Sequence, residues 1–382
     1  MMFYDANRRG SRIAARILIA LLIVAGGIGI AGRGQISSGE LADIRTVIES
    51  AKSTRATAAA SMDFAQGTMH ANDFQSAITS TRRAVADYDQ LAASASLTRF
   101  TSDSPFAQFV FTPRTTLLGT VDRLNNAANT MQTQTAALID AMETSFANDF
   151  RTDGGHWMVQ VDDPAAINEL VSCYGKQRSY QTLQEHLDDL KSLYNLEQRV
   201  RQQVADAIAA VHAGETNAAQ ITVPTEAGAM NAAGWMGTAQ SVASTLGVQV
   251  KQTSVYGCPG ADDNGDDNAD MVIGFFCGGS QASRNEVNML TTHPEWPAVE
   301  RSPLLVDYTK HELAHRSIMI VCGTTEPEIA ANRTEAVTNS YAVQFLGASR
   351  ERIAGSQQGL AAYAMDAQSD QIAQSIHNGT CA

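Results

Sequence analysis

Apolar residues recur mostly at intervals of three and four from Leu183 through Leu187, Leu190, Tyr194, Val204, Ile208 and Val211, and Gly214 follows. A helix turns once in 3.6 residues, so this spacing lines one of its faces. A strand, with period two, would scatter the same residues over both faces. The spacing therefore predicts a long helix that stops at Gly214. Phe74, Ile78, Val85, Tyr88 and Leu91, with Asp73 placed as a cap, predict a second helix. Leu117, Val121, Leu124, Met131, Leu138, Met142 and Phe146 predict a third, and Asp163-Pro164 opens a fourth. Residues 36–215 are expected to form an α-helical bundle or stalk, with these apolar positions as its core. Aromatic residues make up only 6% of the chain, which favours helices packed through small side chains over a β-sandwich.

The pattern changes near residue 215. Ile221-Thr222-Val223 is short and strand-like, and 225–246 is helical, ending at Gly247. VQVKQTSVY (248–256) alternates as a strand does, and MVIGFFC (271–277) is a second strand. Helices are expected from Ser302-Pro303 towards Val321, over 332–346 and over 360–376. A few strands followed by helices predict an α+β fold for 216–382.

Arg8, Arg9, Arg12 and Arg16 precede an apolar run at 17–32 (ILIALLIVAGGIGIAG). Positive charge ahead of an apolar run is the pattern of export. Segment 1–35 is expected to be a signal anchor, or a signal peptide cleaved after Gly29-Ile30-Ala31. The remainder is placed outside the cytoplasm, anchored to the membrane by this single segment or secreted if it is cleaved. In that compartment Cys258 and Cys277, which bracket an acidic turn, are candidates to bridge a hairpin. Cys322 and Cys381 are candidates to fasten the C-terminus, with Cys173 left over. Lys and Arg number 27 against 40 Asp and Glu, a net charge of −13, and no basic cluster occurs beyond residue 16. That argues against a nucleic-acid partner.

Chemistry enters at His311-Glu312-Leu313-Ala314-His315, an HExxH sequence. Histidines four apart on a helix share a face, so both rings can reach one ion, and Glu312 projects beside it to take a proton from bound water. A catalytic zinc needs three protein ligands and an open position. Glu335, on the next expected helix, is the third candidate. Asn339 lies one turn further on, placed to hydrogen-bond a ligating histidine. These residues resemble the gluzincin, or thermolysin-like, clan of zinc metallopeptidases, over residues 303–347. The resemblance implies a zincin-like metallopeptidase domain at 216–382, with His311, His315 and Glu335 as zinc ligands and Glu312 as general base. Asn339 stands where the clan has an aspartate. The clan's donor to the oxyanion has three candidates, Tyr341, Tyr363 and His377. Glu326 and Glu328 are rival ligands that lie in the connection after Gly323. Strand 271–277 resembles the edge strand on which such enzymes hold an extended peptide.

Asp262, Asn264, Asp266, Asn268 and Asp270 alternate around Gly265 ahead of an apolar run. The stretch is similar to the calcium loops of FG-GAP repeats, which implies side-chain ligation by Asp262, Asn264, Asp266 and Asp270 and a carbonyl from Asn268. Asp-rich runs with Asn-Gly also form plain turns. The whole sequence thus predicts an exported zinc peptidase acting on a peptide or protein substrate. Its helical half would serve as spacer, cover or binding module for an envelope protein. An inactive envelope scaffold or sensor with a metal-stabilised domain, and a zinc amidase acting on cell-wall peptides, are the alternatives.

Overall fold

The structure, a computed structural model, describes residues 38–94, 114–161, 164–176, 178–225, 234–258, 272–278 and 283–382. The basic and apolar N-terminal segment and the acidic loop with its calcium candidates Asp262, Asn264, Asp266, Asn268 and Asp270 lie outside the described residues. Among the described residues no helix is long and apolar enough to cross a membrane. The chain divides into two compact units, Met1–Phe150 with Ser172–Leu196, and Arg151–Val171 with Glu197–Ala382. Residue 215, where the composition changes, lies inside the second.

The first unit contains α1 (Ser38–Gly67), α2 (Gln75–Ser94), most of α3 (Arg114–Gln160) and the start of α5 (Leu183–Ala219). On α3 the buried residues Met131, Thr135, Leu138, Met142 and Phe146 fall three and four apart, so one face is apolar. Ala51 and Ala58 on α1 and Ala84 on α2 are buried with Tyr88, Leu124 and Met131. Their small side chains let the helices approach closely. Phe64 sits edge-on to both Phe146 and Tyr194, at 6.3 and 5.6 Å between ring centroids.

The second unit contains α4 (Ala165–Gly175) in part, the later turns of α5, and α6 (Gly234–Thr245). It continues with β1 (Gln249–Thr253), β2 (Gly274–Phe276), β3 (Glu286–Leu290) and the short α7 (Trp296–Val299). It ends with α8 (Leu304–Cys322), α9 (Thr334–Phe345), α10 (Arg350–Ser356) and α11 (Ala367–His377). Helix α5 does not stop at Gly214. A side chain there would sit 2.6 Å from the carbonyl oxygen of Thr245 at the end of α6, so the glycine serves close helix packing, not termination.

Helix α8 is the axis of this unit. From Leu305 to Cys322 it is buried on all sides apart from the partly exposed His315. Helices α6, α9, α10 and α11 and strands β2 and β3 pack around it. Two buried charged side chains pin its position. Asp307 accepts from Arg352 at 2.5 and 3.1 Å and from the Ser349 amide at 2.9 Å. Lys310, fully buried, donates to the Gly347 carbonyl at 2.8 Å.

The sheet has the order β1-β3-β2. Strand β3 pairs in parallel with β1 (Val250 opposite Val287) and antiparallel with β2 (Phe276 opposite Val287). Strands 248–256 and 271–277 therefore form no hairpin with each other, because EVNML inserts between them. The disulfide Cys258–Cys277 ties their ends together across that gap, and Cys322–Cys381 joins the end of α8 to the penultimate residue. Two disulfides indicate an extracytoplasmic environment. Cys173, partly exposed, is unpaired.

These findings correct the α+β, zincin-like expectation for 216–382. Helix accounts for 73% of the structure and strand for 4%, in one three-stranded sheet. Ile221-Thr222-Val223 is irregular, the runs 248–256 and 271–277 contract to strands of five and three residues, and the unforeseen β3 has five. Strands this short carry too few ladder bonds to found a layer of their own, so the sheet shares the helical core, to which Val287 and Met289 contribute.

Candidate metal centre

His311 and His315 lie one turn apart on α8, with their rings edge-on at 4.8 Å. Glu335 projects towards both from the first turn of α9, where a carboxylate is favoured by the helix dipole. Its Oε2 atom is 3.1 Å from His311 Nε2 and 3.4 Å from His315 Nε2. The three ligand atoms all lie within 4.8 Å of one another. A tetrahedral ion with arms of about 2.0–2.1 Å has edges of about 3.3–3.4 Å between its ligands, which these two separations match.

The far side of each ring is also engaged. His311 Nδ1 is 2.7 Å from the Asn339 side-chain oxygen. The Asn339 amide nitrogen donates to Gln357 Oε1 at 2.7 Å and to the Tyr363 carbonyl at 2.9 Å, which fixes its oxygen towards the ring. Oxygen accepts only, so Nδ1 of His311 carries a proton, and in the neutral ring Nε2 is left with a lone pair on the Glu335 side. Thr338 behaves alike. Its hydroxyl donates to the Thr334 carbonyl at 2.8 Å and lies 3.4 Å from His315 Nδ1, from which its lone pair accepts. Lone pairs on two nitrogens and a carboxylate thus converge on one point, an arrangement that needs a cation or a proton at its centre. Such outer partners commonly govern affinity by about 10–100-fold. Asn339→Ala is therefore expected to weaken metal binding by that factor in a chelator competition, with the fold retained.

Glu312 is buried beside this centre. Burial pushes its carboxyl above the ordinary range, against the pull of His311 and His315, while the Phe276 amide of β2 donates to it. Gly274 explains how strand and carboxylate fit. A side chain at that position would meet Glu312 Cγ and Oε1 at 3.2 Å. Tyr363 has its ring centroid 6.0 Å from that of His311. Burial, then the carboxylates of Glu335 and Glu312, keep its hydroxyl protonated and hence a donor.

The other sequence candidates lie elsewhere. Tyr341 and His377 belong to a separate cluster with Glu215, and Glu326 and Glu328 are exposed. Thr338 and Gly274 escaped notice in the sequence. Thr338 follows Glu335 by three residues on one helix face, and an isolated glycine in a strand marks close approach. Either signal was available.

Among the described residues two further groups of side chains could hold a metal ion, His212 with Glu215 and His377, and Asp140 with Glu143 and His186. At the first centre a metal competes with a proton. Burial opposes charge on His311, but hydrogen bonding to Glu335 and the charge of Glu312 raise the ring from 6.5 to about 9. Metal uptake at pH 7 is therefore expected to release a proton, measurable by calorimetry in buffers of different ionisation enthalpy. In the metal-free chain a raised imidazole stabilises the fold fully below 6.5, and that contribution is lost as pH rises towards 9. The melting temperature of chelated protein should fall across that interval, and the fall should be absent from His311→Gln.

Comparison with protein-family models, with curated proteins and with solved structures finds no match. The functional reading rests on the site itself.

Proposed function

We propose that this chain is an exported, zinc-dependent peptidase that hydrolyses peptide bonds at the His311, His315 and Glu335 centre. One observation carries the reading. Three ligand atoms on two helices converge at tetrahedral spacing, and a buried carboxylate with a raised pKa, Glu312, stands next to them. The donor set suits the metal, because two imidazoles and one carboxylate are a common ligand set of catalytic zinc and leave a position open. The likeness to gluzincins is one of motif and ligand set alone.

When bound, zinc lowers the pKa of its water to about 7 and polarises the scissile carbonyl. Glu312 supplies the proton chemistry. Its carboxylate accepts the proton of the attacking water and returns it to the leaving amine, a role that suits a carboxyl shifted upwards by burial. The Phe276 amide holds that carboxylate in place, and the edge position of β2 brings an extended substrate past it. Tyr363 is the donor available to the developing oxyanion.

The test is turnover of a peptide library by the full chain. Cleavage that stops on chelation and returns with zinc supports the proposal; a zinc-loaded, folded chain that cleaves nothing overturns it. A second reading, an inactive metal-stabilised scaffold or sensor in the envelope, draws support from the predominance of helix and predicts metal binding without turnover. Products from cell-wall peptides in the same assay would identify an amidase.

A further inference from the structure

We propose that His212, Glu215 and His377 form a second site for a divalent transition-metal ion, structural in role, that clamps α11 to α5 independently of the first centre. Its ligands share no residue with that centre, and the inference stands whether or not the chain is a peptidase.

The three side chains converge from two helices. His212 and Glu215 lie three apart on α5, and therefore on one face, while His377 comes from the last turn of α11. Their ligand atoms all fall within 4.8 Å of one another. His377 Nε2 is 3.3 Å from Glu215 Oε2, again the edge of a tetrahedron with arms of about 2.0–2.1 Å. Tyr341, fully buried on α9, donates to the other carboxylate oxygen at 2.8 Å and so aims Oε2 at the imidazoles. This is the outer-partner arrangement that orients a metal-ligating carboxylate.

Two buried polar atoms here complete no hydrogen bond, Glu215 Oε2, whose nearby nitrogen is His377 Nε2 at 3.3 Å, and His212 Nε2. Glu215 is 1% exposed. Burial, against hydrogen bonds from Ser317 and Tyr341, raises its carboxyl to about 7, so its charge is costly at that depth, and a cation between it and the two nitrogens offsets the cost. Burial also favours the neutral form of both imidazoles, the form that ligates. One adjustment is required. The two rings are stacked at 4.1 Å with their planes 21° apart, so both lone pairs cannot meet one ion as they stand. His377 is held against Phe345, stacked at 3.9 Å. His212 Nε2 has no partner to lose, so His212 is the ring that turns. Nitrogen and carboxylate donors in a two-to-one ratio select zinc-like ions over calcium or magnesium. The Asp140, Glu143 and His186 group has a single imidazole and a half-exposed Glu143, and makes the weaker case.

The test uses the full chain, stripped with chelator, loaded with zinc and passed through a desalting column. Wild-type protein should retain two equivalents, and His311→Ala/His315→Ala one. Adding His377→Gln to that double variant should remove the remaining equivalent, together with the zinc-dependent rise in melting temperature. Glu215→Gln, which preserves volume and the bond from Tyr341, should act likewise. Should the double variant fail to fold, His377→Gln alone in the native chain should lower retention from two equivalents to one. Retention of the same zinc content after His377→Gln, in either background, overturns the proposal, as does a double variant that folds but binds none.

Discussion

Glu312→Gln is expected to bind zinc at wild-type stoichiometry and to lose hydrolysis by about 10²–10⁴-fold, the usual contribution of a positioned acid-base group. The substitution keeps the side-chain volume between Gly274 and α8. It also keeps an oxygen to accept from the Phe276 amide, so geometry is preserved while the proton acceptor is gone. Stability should move the other way. Burial disfavours the ionised carboxylate, and a neutral amide avoids that penalty, so the melting temperature of the metal-free variant should equal or exceed that of the native chain. A loss of activity with a lower melting temperature would assign Glu312 a structural role. Retained turnover would remove it from the chemistry.

His315→Ala is expected to lose both metal and activity. With one nitrogen gone, only His311 Nε2 and Glu335 Oε2 remain, and a two-ligand site does not hold zinc against a chelator. An outer partner alone is worth about 10–100-fold in affinity, so loss of a direct ligand should exceed that range. Zinc at a hundred times its dissociation constant stabilises a folded protein by about 2.7 kcal/mol, or roughly 5–10 °C in melting temperature for a unit of this size. The part of that rise due to this centre should vanish in His315→Ala. Because His315 is the one partly exposed residue in the buried stretch of α8, its truncation leaves little cavity, and the metal-free fold should survive.

The candidate centre was legible because a helix turns a local spacing into a shared face. The spacing of four from His311 to His315 dictates their convergence, and Glu335 and Asn339 are one turn apart for the same reason. The cysteine pairs followed from compartment and position. Less local features were hidden. Strand β3 alternates Glu286, Val287, Asn288 and Met289, a signal too short to stand out, and only its insertion between β1 and β2 shows that 248–256 and 271–277 are not neighbours. Gly214 resembles a helix stop, yet its neighbour is the end of α6, far away in sequence. The α+β expectation failed on length. Apolar alternation predicts strands but does not say how few residues will pair, and here the helical core around α8 takes most of the buried surface.

The most direct measurement is an anomalous-difference map collected at the zinc absorption edge from crystals of the zinc-loaded full chain. The account predicts a peak about 2.0–2.1 Å from His311 Nε2, His315 Nε2 and a Glu335 carboxylate oxygen. Crystals that contain zinc but show no peak among these three side chains would contradict it.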